Sequence, residues 1–130
     1  MSAEPSPRAS ILVVEDNPAN QVLIQFTLES SGYQVELAGS AREALASIAR
    51  RRPDLILMDI QLPGQDGLSL TRQLKADPAV KAIPVVALTA RAMAGDRELA
   101  LAAGCSGYIS KPIDTRTIAD EVDRYLGSAK

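Results

Sequence analysis

Five short apolar runs punctuate the chain, at Ile11–Val14, Gln34–Ala38, Leu55–Met58, Ile83–Leu88 and Gly107–Ser110. Each is followed by a turn and a helical pattern. Ala19, Val22, Leu23 and Phe26 recur at i, i+3, i+4 and i+7, with Pro18 in the first turn and Gly32 past the end. That spacing predicts a first helix with those four residues on its apolar face. Ser40 and Glu43 form a capping-box pattern ahead of Ala44, Leu45 and Ile48. Leu70 and Leu74 stand one turn apart in a third helix. An Ala-rich fourth helix, around Ala92–Ala103, carries Gly95 within it. Asp114 is placed to cap a fifth, whose apolar face is Ile118, Val122 and Tyr125.

Strands alternating with helices predict an α/β fold, with a doubly wound parallel sheet covered on both faces. Ile11–Val14, Leu55–Met58 and Ile83–Leu88 are continuously apolar, as strands buried on two faces must be. Gln34–Leu37 alternates and Gly107–Ser110 is short and polar-flanked, which suits sheet edges. The strand order expected is 2-1-3-4-5, flavodoxin-like, with five helices. Residues 1–9 and 128–130 read as flexible tails around one domain at 10–127. The first nine lack the apolar core of a signal peptide.

Composition narrows the chemistry. The chain has 130 residues, one domain's worth, and a net charge of −2. A net acidic chain argues against nucleic acid as a partner. A run of ~20 apolar residues, as a membrane span needs, is nowhere found. Histidine is absent and Cys105 is the single cysteine. Histidine acid–base catalysis, Ser/His and Cys/His nucleophile systems and His- or Cys-ligated zinc are therefore excluded. Arg50-Arg51-Arg52 reads as a solvated helix end, and Cys105 as a small packed hydrophobe.

In an open parallel sheet, ligands bind beyond the carboxyl ends of the strands. Glu15 and Asp16 follow the first run, Asp59 the third, Thr89 ends the fourth and Lys111 follows the fifth. Three carboxylates suit Mg²⁺. A carboxylate on a central strand can serve as nucleophile towards a phosphoryl group, with Lys and Thr holding its oxygens. Taken singly, Asp16 serves equally well as a helix cap, Glu15 as a solvated loop acid, Thr89 as a strand-end cap and Lys111 as a surface lysine. Asp59 is harder to explain away, because an unpartnered charge at the end of an apolar strand is costly.

The segments ILVVEDNPAN, PDLILMDIQLPGQDGL, IPVVALTARAMAGD and GCSGYISKPID together resemble the receiver domain of two-component response regulators, the CheY-like family. The likeness runs from Ile11 to Leu126. It is greatest to stand-alone DivK-type receivers and to the receivers of hybrid histidine kinases. The resemblance implies Asp59 as phospho-acceptor, taking phosphate from a partner's phosphohistidine. It implies Mg²⁺ (or Mn²⁺) held by Glu15, Asp16, Asp59 and the backbone carbonyl of Gln61. It further implies Thr89 and Lys111 on the phosphoryl oxygens, a cis bond between Lys111 and Pro112, and Thr89 with Tyr108 as a switch pair. Gln61 and Arg91 sit where the family tunes reaction rates, and Gly95 suggests a fourth helix that is easily displaced.

The function so implied is that of a single-domain response regulator in a His-Asp phosphorelay, a cytoplasmic signalling protein rather than an enzyme. Its partners would be a histidine kinase or histidine phosphotransfer protein, and a downstream target on the face of the fourth helix, fifth strand and fifth helix. Neither nucleic acid nor membrane is expected to bind, and the chain is expected to be a monomer or weak dimer. Competing readings are a receiver excised from a hybrid kinase and an aspartate-nucleophile phosphatase. The latter needs an acid two residues after the nucleophile, where Gln61 stands. A flavin or nucleotide site would need a Gly-rich phosphate loop in place of EDNPAN.

Overall fold

The computed structural model describes residues 9–62, 66–89 and 94–128. Five parallel strands, β1 (Ser10–Val14), β2 (Gln34–Ala38), β3 (Leu55–Asp59), β4 (Val85–Thr89) and β5 (Gly107–Ser110), form one sheet in the order β2-β1-β3-β4-β5. Helices α1 (Pro18–Ser30), α2 (Ala41–Arg50), α3 (Gly67–Lys75), α4 (Ala94–Ala103) and α5 (Ile118–Ser128) connect and follow them. This is the expected α/β architecture and strand order.

Both faces of the sheet are buried, so the inner strands have no polar side to alternate with. Leu12, Val14, Ile56 and Met58 point to the layer that holds Ala44, Ile48, Leu70 and Leu74. Ile11, Val13, Leu55 and Leu57 point to the other, which holds Ile24, Leu28, Ile118 and Val122. The register Val14↔Met58, Met58↔Ala87 and Thr89↔Ser110 levels the strands' carboxyl ends along one rim.

The first helix departs from expectation. Its buried residues are Ile24 and Leu28, whereas Val22 is 64% exposed and Phe26 72% exposed. The i, i+3, i+4, i+7 stripe read as the helix's apolar face is the solvent face. Periodicity finds a stripe but not its direction, and in α1 apolar residues occupy both sides of the helix.

The capping of α2 is as predicted at Ser40, whose hydroxyl oxygen accepts the Glu43 amide at 3.2 Å. Glu43 reaches back one residue further than a capping box, accepting the Gly39 amide at 2.9 Å. Asp114 caps the turn that leads into α5: its Oδ1 accepts the Arg116 amide at 2.9 Å and its carbonyl accepts the Ile118 amide at 3.0 Å, with a turn at 115–117 between them. Gly32, at φ 95°, turns the chain out of α1 in a conformation other residues adopt at a cost.

Candidate functional site

The rim is assembled from four strand ends and the loops that leave them. After β1, Glu15 extends the ladder by one bond, its amide donating to the Ala38 carbonyl at 2.9 Å. The residue is therefore drawn into the protein, fully buried. Its Oε2 accepts the Asn17 amide at 3.1 Å. Its Oε1 is buried without a hydrogen bond, and its compensation among the described residues is the charge of Lys111 Nζ at 2.7 Å. Asp16 is exposed at the rim. The helix cap is Asn17, whose Oδ1 accepts the Asn20 amide at 3.1 Å. The capping alternative for Asp16 is thereby set aside.

Asp59 is the last residue of β3 rather than the first after it, and is buried. Oδ1 accepts the Gln61 amide at 2.8 Å and Oδ2 accepts from Lys111 Nζ at 3.0 Å. Thr89 ends β4, buried, and its carbonyl accepts the Lys111 amide at 2.7 Å. That bond fixes the backbone from which Lys111 reaches across to both carboxylates. The Lys111–Pro112 peptide is cis.

Burial raises the Asp59 pKa above the usual aspartate range. The Gln61 amide and the Lys111 ammonium work against that rise, and the Glu15 charge adds to it. For Lys111, burial acts to lower the pKa. The hydrogen bond to Asp59 and the charges of Glu15 and Asp59 outweigh it and hold the ammonium above its ordinary value. Among the described residues a single cation, Lys111, thus faces two of the cluster's three acids. Glu15, Asp16 and Asp59 each offer an oxygen, all within 4.8 Å of one another. These hard oxygens, one of them buried with no hydrogen bond, fit the demands of Mg²⁺.

The structure therefore brings together Glu15, Asp16, Asp59 and Lys111, with the Gln61 backbone and Thr89 beside them. Tyr108 belongs to a different surface. It is half-buried under the Arg97 guanidinium, 5.7 Å from its ring centroid, and lines a cavity of about 470 Å³ with Pro112, Glu121 and Tyr125. Arg91 lies outside the described residues, as do residues 63–65.

One supporting residue escaped the sequence. A methyl group on Gly67 would lie 2.1 Å from the Asp59 carbonyl oxygen and 2.8 Å from Ile60 Cα. The start of α3 is thus pressed against the strand end that carries Asp59, a fit that only glycine permits. The Gly67 amide donates to the Ile60 carbonyl at 3.1 Å, and Asp66 caps the helix by accepting the Ser69 amide at 2.8 Å. The signal was the Asp-Gly pair at a helix start, which reads as an ordinary turn until the neighbouring strand is in place.

Residues 11–123 match the family described as the response regulator receiver domain. The polar-differentiation response regulator DivK of Brucella anthropi is 46% identical over 120 residues, covering 92% of this chain and 98% of that protein. The receiver domain of the sensor histidine kinase PA1611 from Pseudomonas aeruginosa PAO1, solved with a magnesium ion in its active site cleft, is 43% identical. It superposes with a TM-score of 0.83, covering 92% of this chain and 98% of that one. The chemotaxis response regulator CheY4 of Vibrio cholerae has a TM-score of 0.85 at 28% identity, covering 90% of this chain and 98% of that one.

Proposed function

We propose a function from one established premise: the chain belongs to the response regulator receiver domain family. In this reading it is a DivK-like phospho-acceptor in a phosphorelay. A carboxylate oxygen of Asp59 attacks the phosphorus of a donor protein's phosphohistidine. The P–O bond forms as the P–N bond breaks, and the imidazole leaves with the electron pair. The donor must be another protein, because this chain has no histidine.

Lys111 Nζ, already 3.0 Å from Asp59 Oδ2, is placed to follow the phosphoryl oxygens, with the Thr89 hydroxyl on the neighbouring strand end. Glu15, Asp16, Asp59 and the Gln61 carbonyl are the groups to hold Mg²⁺. The bound ion supplies positive charge against the carboxylates and the incoming phosphoryl group. The buried Asp59, held by one lysine shared with Glu15, is the observation that carries this reading.

Two faces divide the partners. The exposed stripe of Ala19, Val22, Leu23 and Phe26 starts at the rim and contains no charge, which suits a helix of the phosphoryl donor. The cavity beside Tyr108, between α4, β5 and α5, suits the downstream target, since Tyr108 shares β5 with the strand end that precedes Lys111. Added phosphate carries about −1.5 to −2 charge, enough to bias such a surface between two arrangements.

Acetyl phosphate with Mg²⁺, followed by mass spectrometry, tests the acceptor. Wild type is expected to gain one phosphoryl adduct and Asp59→Asn none. An adduct of equal extent on Asp59→Asn sinks the assignment. Among the described residues no helix is long and apolar enough to cross a membrane. We place the protein's work in the cytoplasm, with the donor kinase.

A further inference from the structure

Asp16 differs from the other two acids of the cluster. Glu15 and Asp59 are buried and fixed by named partners, whereas Asp16 is exposed and no side chain among the described residues holds it. The direction of its carboxylate is set by the backbone on either side. On the carboxyl side that backbone is Asn17, locked by capping α1. On the amino side it is the Glu15–Asp16 peptide. The Glu15 amide makes the last bond of the β1–β2 ladder, to Ala38. The Glu15 carbonyl lies beyond that ladder, because the β2 chain has by then turned away to cap α2 at Ser40.

A side chain takes the place of the missing strand partner. Gln21 Nε2, one turn into α1, donates to the Glu15 carbonyl at 2.6 Å. The amide borders the β2–α2 turn, where a methyl group on Gly39 would lie 3.7 Å from Gln21 Nε2 and 3.6 Å from Glu43 Oε1. Helix α1 is thereby tied to the β1 end at the peptide that leads into Asp16.

We infer that Gln21 is a positioning residue for the cation site: its side-chain amide holds the Glu15 carbonyl and so fixes how Asp16 presents its carboxylate. The inference rests on reading Glu15, Asp16 and Asp59 as a cation-binding set. It adds a residue that touches neither the ion nor the phosphoryl group. Residues that orient metal ligands typically change affinity by 10–100-fold when lost. Gln21 acts through one peptide on one of three carboxylates, so the low end applies.

The test uses Gln21→Met, which keeps the length and removes the donor, and Gln21→Asn, which keeps the amide and shortens the arm by one methylene. Mg²⁺ is titrated into wild type and both variants while NMR follows the Glu15–Asn17 amides. Melting temperature and the Glu15 carbonyl ¹³C shift are recorded without metal. Both variants are expected to bind Mg²⁺ about 10-fold more weakly, to melt within about 2 °C of wild type, and to show the Glu15 carbonyl shifted upfield as its hydrogen bond is lost. Wild-type affinity in either variant, or weakening matched by a general loss of stability, overturns the positioning role. A wild-type protein whose amides ignore Mg²⁺ overturns the site reading itself, a result separable from the first because it appears without any substitution.

Discussion

Replacing Asp59 by Asn should stabilise the metal-free protein and at the same time shrink the stabilisation that Mg²⁺ provides. The three acidic side chains have oxygens within 4.8 Å of one another, and at that distance two unit charges repel by about 3.5 kcal/mol at an effective dielectric of ~20. Lys111 offsets part of this for Glu15 and Asp59 but is shared between them, and water screens the exposed Asp16. Burial of Asp59 adds a penalty of the same sign, in keeping with its raised pKa. A net relief of about 1–2 kcal/mol is expected on neutralising Asp59. In a domain of this size that corresponds to roughly 3–8 °C in melting temperature.

The cation works on the same repulsion from the other side. At a concentration ten times its Kd, a ligand that binds only the folded state adds about 1.4 kcal/mol, or about 5 °C here. Asp59→Asn removes one of three carboxylate ligands and most of the repulsion there was to relieve, so its Mg²⁺ shift should fall below half the wild-type value. Calcium, larger and less demanding in geometry, provides a control for general salt effects. Differential scanning fluorimetry of the two proteins, with and without millimolar Mg²⁺ at constant ionic strength, reads all four states. An Asp59→Asn protein that melts below wild type without metal, or that keeps the full Mg²⁺ shift, would refute the electrostatic reasoning.

The pH profile follows from the same group. An acid whose pKa rises on folding lowers stability as pH climbs through its folded value, since the unfolded chain releases the proton first. The melting-temperature advantage of metal-free Asp59→Asn should therefore be small below the ordinary aspartate range and grow as pH climbs to the raised folded value. Lys111, whose pKa is raised, gives the opposite case: its support is complete up to the ordinary lysine range and is lost as pH rises through its folded value, so Lys111→Met should flatten the alkaline end of the profile. Phe26→Lys, on the exposed stripe, should leave stability within about 0.5 kcal/mol and acetyl phosphate labelling unchanged, yet slow transfer from a phosphorylated histidine phosphotransfer protein by about 10-fold or more. Gly67→Ala should cost about 1–3 kcal/mol by overpacking and lower acetyl phosphate labelling too, because the displaced atoms belong to Asp59. Gly95→Ala meets no atom within 4 Å and should gain up to ~1 kcal/mol in a denaturant melt.

The strand order and the rim residues were legible because each rests on a local signal that the fold does not alter. Strands buried on both faces must be apolar throughout, as Leu55–Met58 is, and a charge that directly follows such a run is costly unless it has a partner. The helix faces were less legible. In α1 the sequence offers two apolar stripes, one ending in Phe26 and one built on Ile24 and Leu28. Only the sheet decides which turns inward, and it selected the second. The same limit hid Gly67 and Gln21. Gly67 is required by the strand end lying against α3, and Gln21 by a carbonyl left beyond the end of a ladder. Neither demand exists before the chain is folded.

That division carries a consequence for the site. The groups that would do the chemistry stand at strand ends, where one-dimensional pattern places them. The groups that aim them stand on helices, and their duty is set by contact across the fold. A second receiver could keep Glu15, Asp16, Asp59, Thr89 and Lys111 and still differ in cation affinity if position 21 lacked an amide of the right reach. The stripe left outside on α1 obeys the same logic. Its i, i+3, i+4, i+7 spacing is a helix-packing pattern that the protein's own core does not use, and it begins at the rim where, in the proposed function, a donor approaches Asp59.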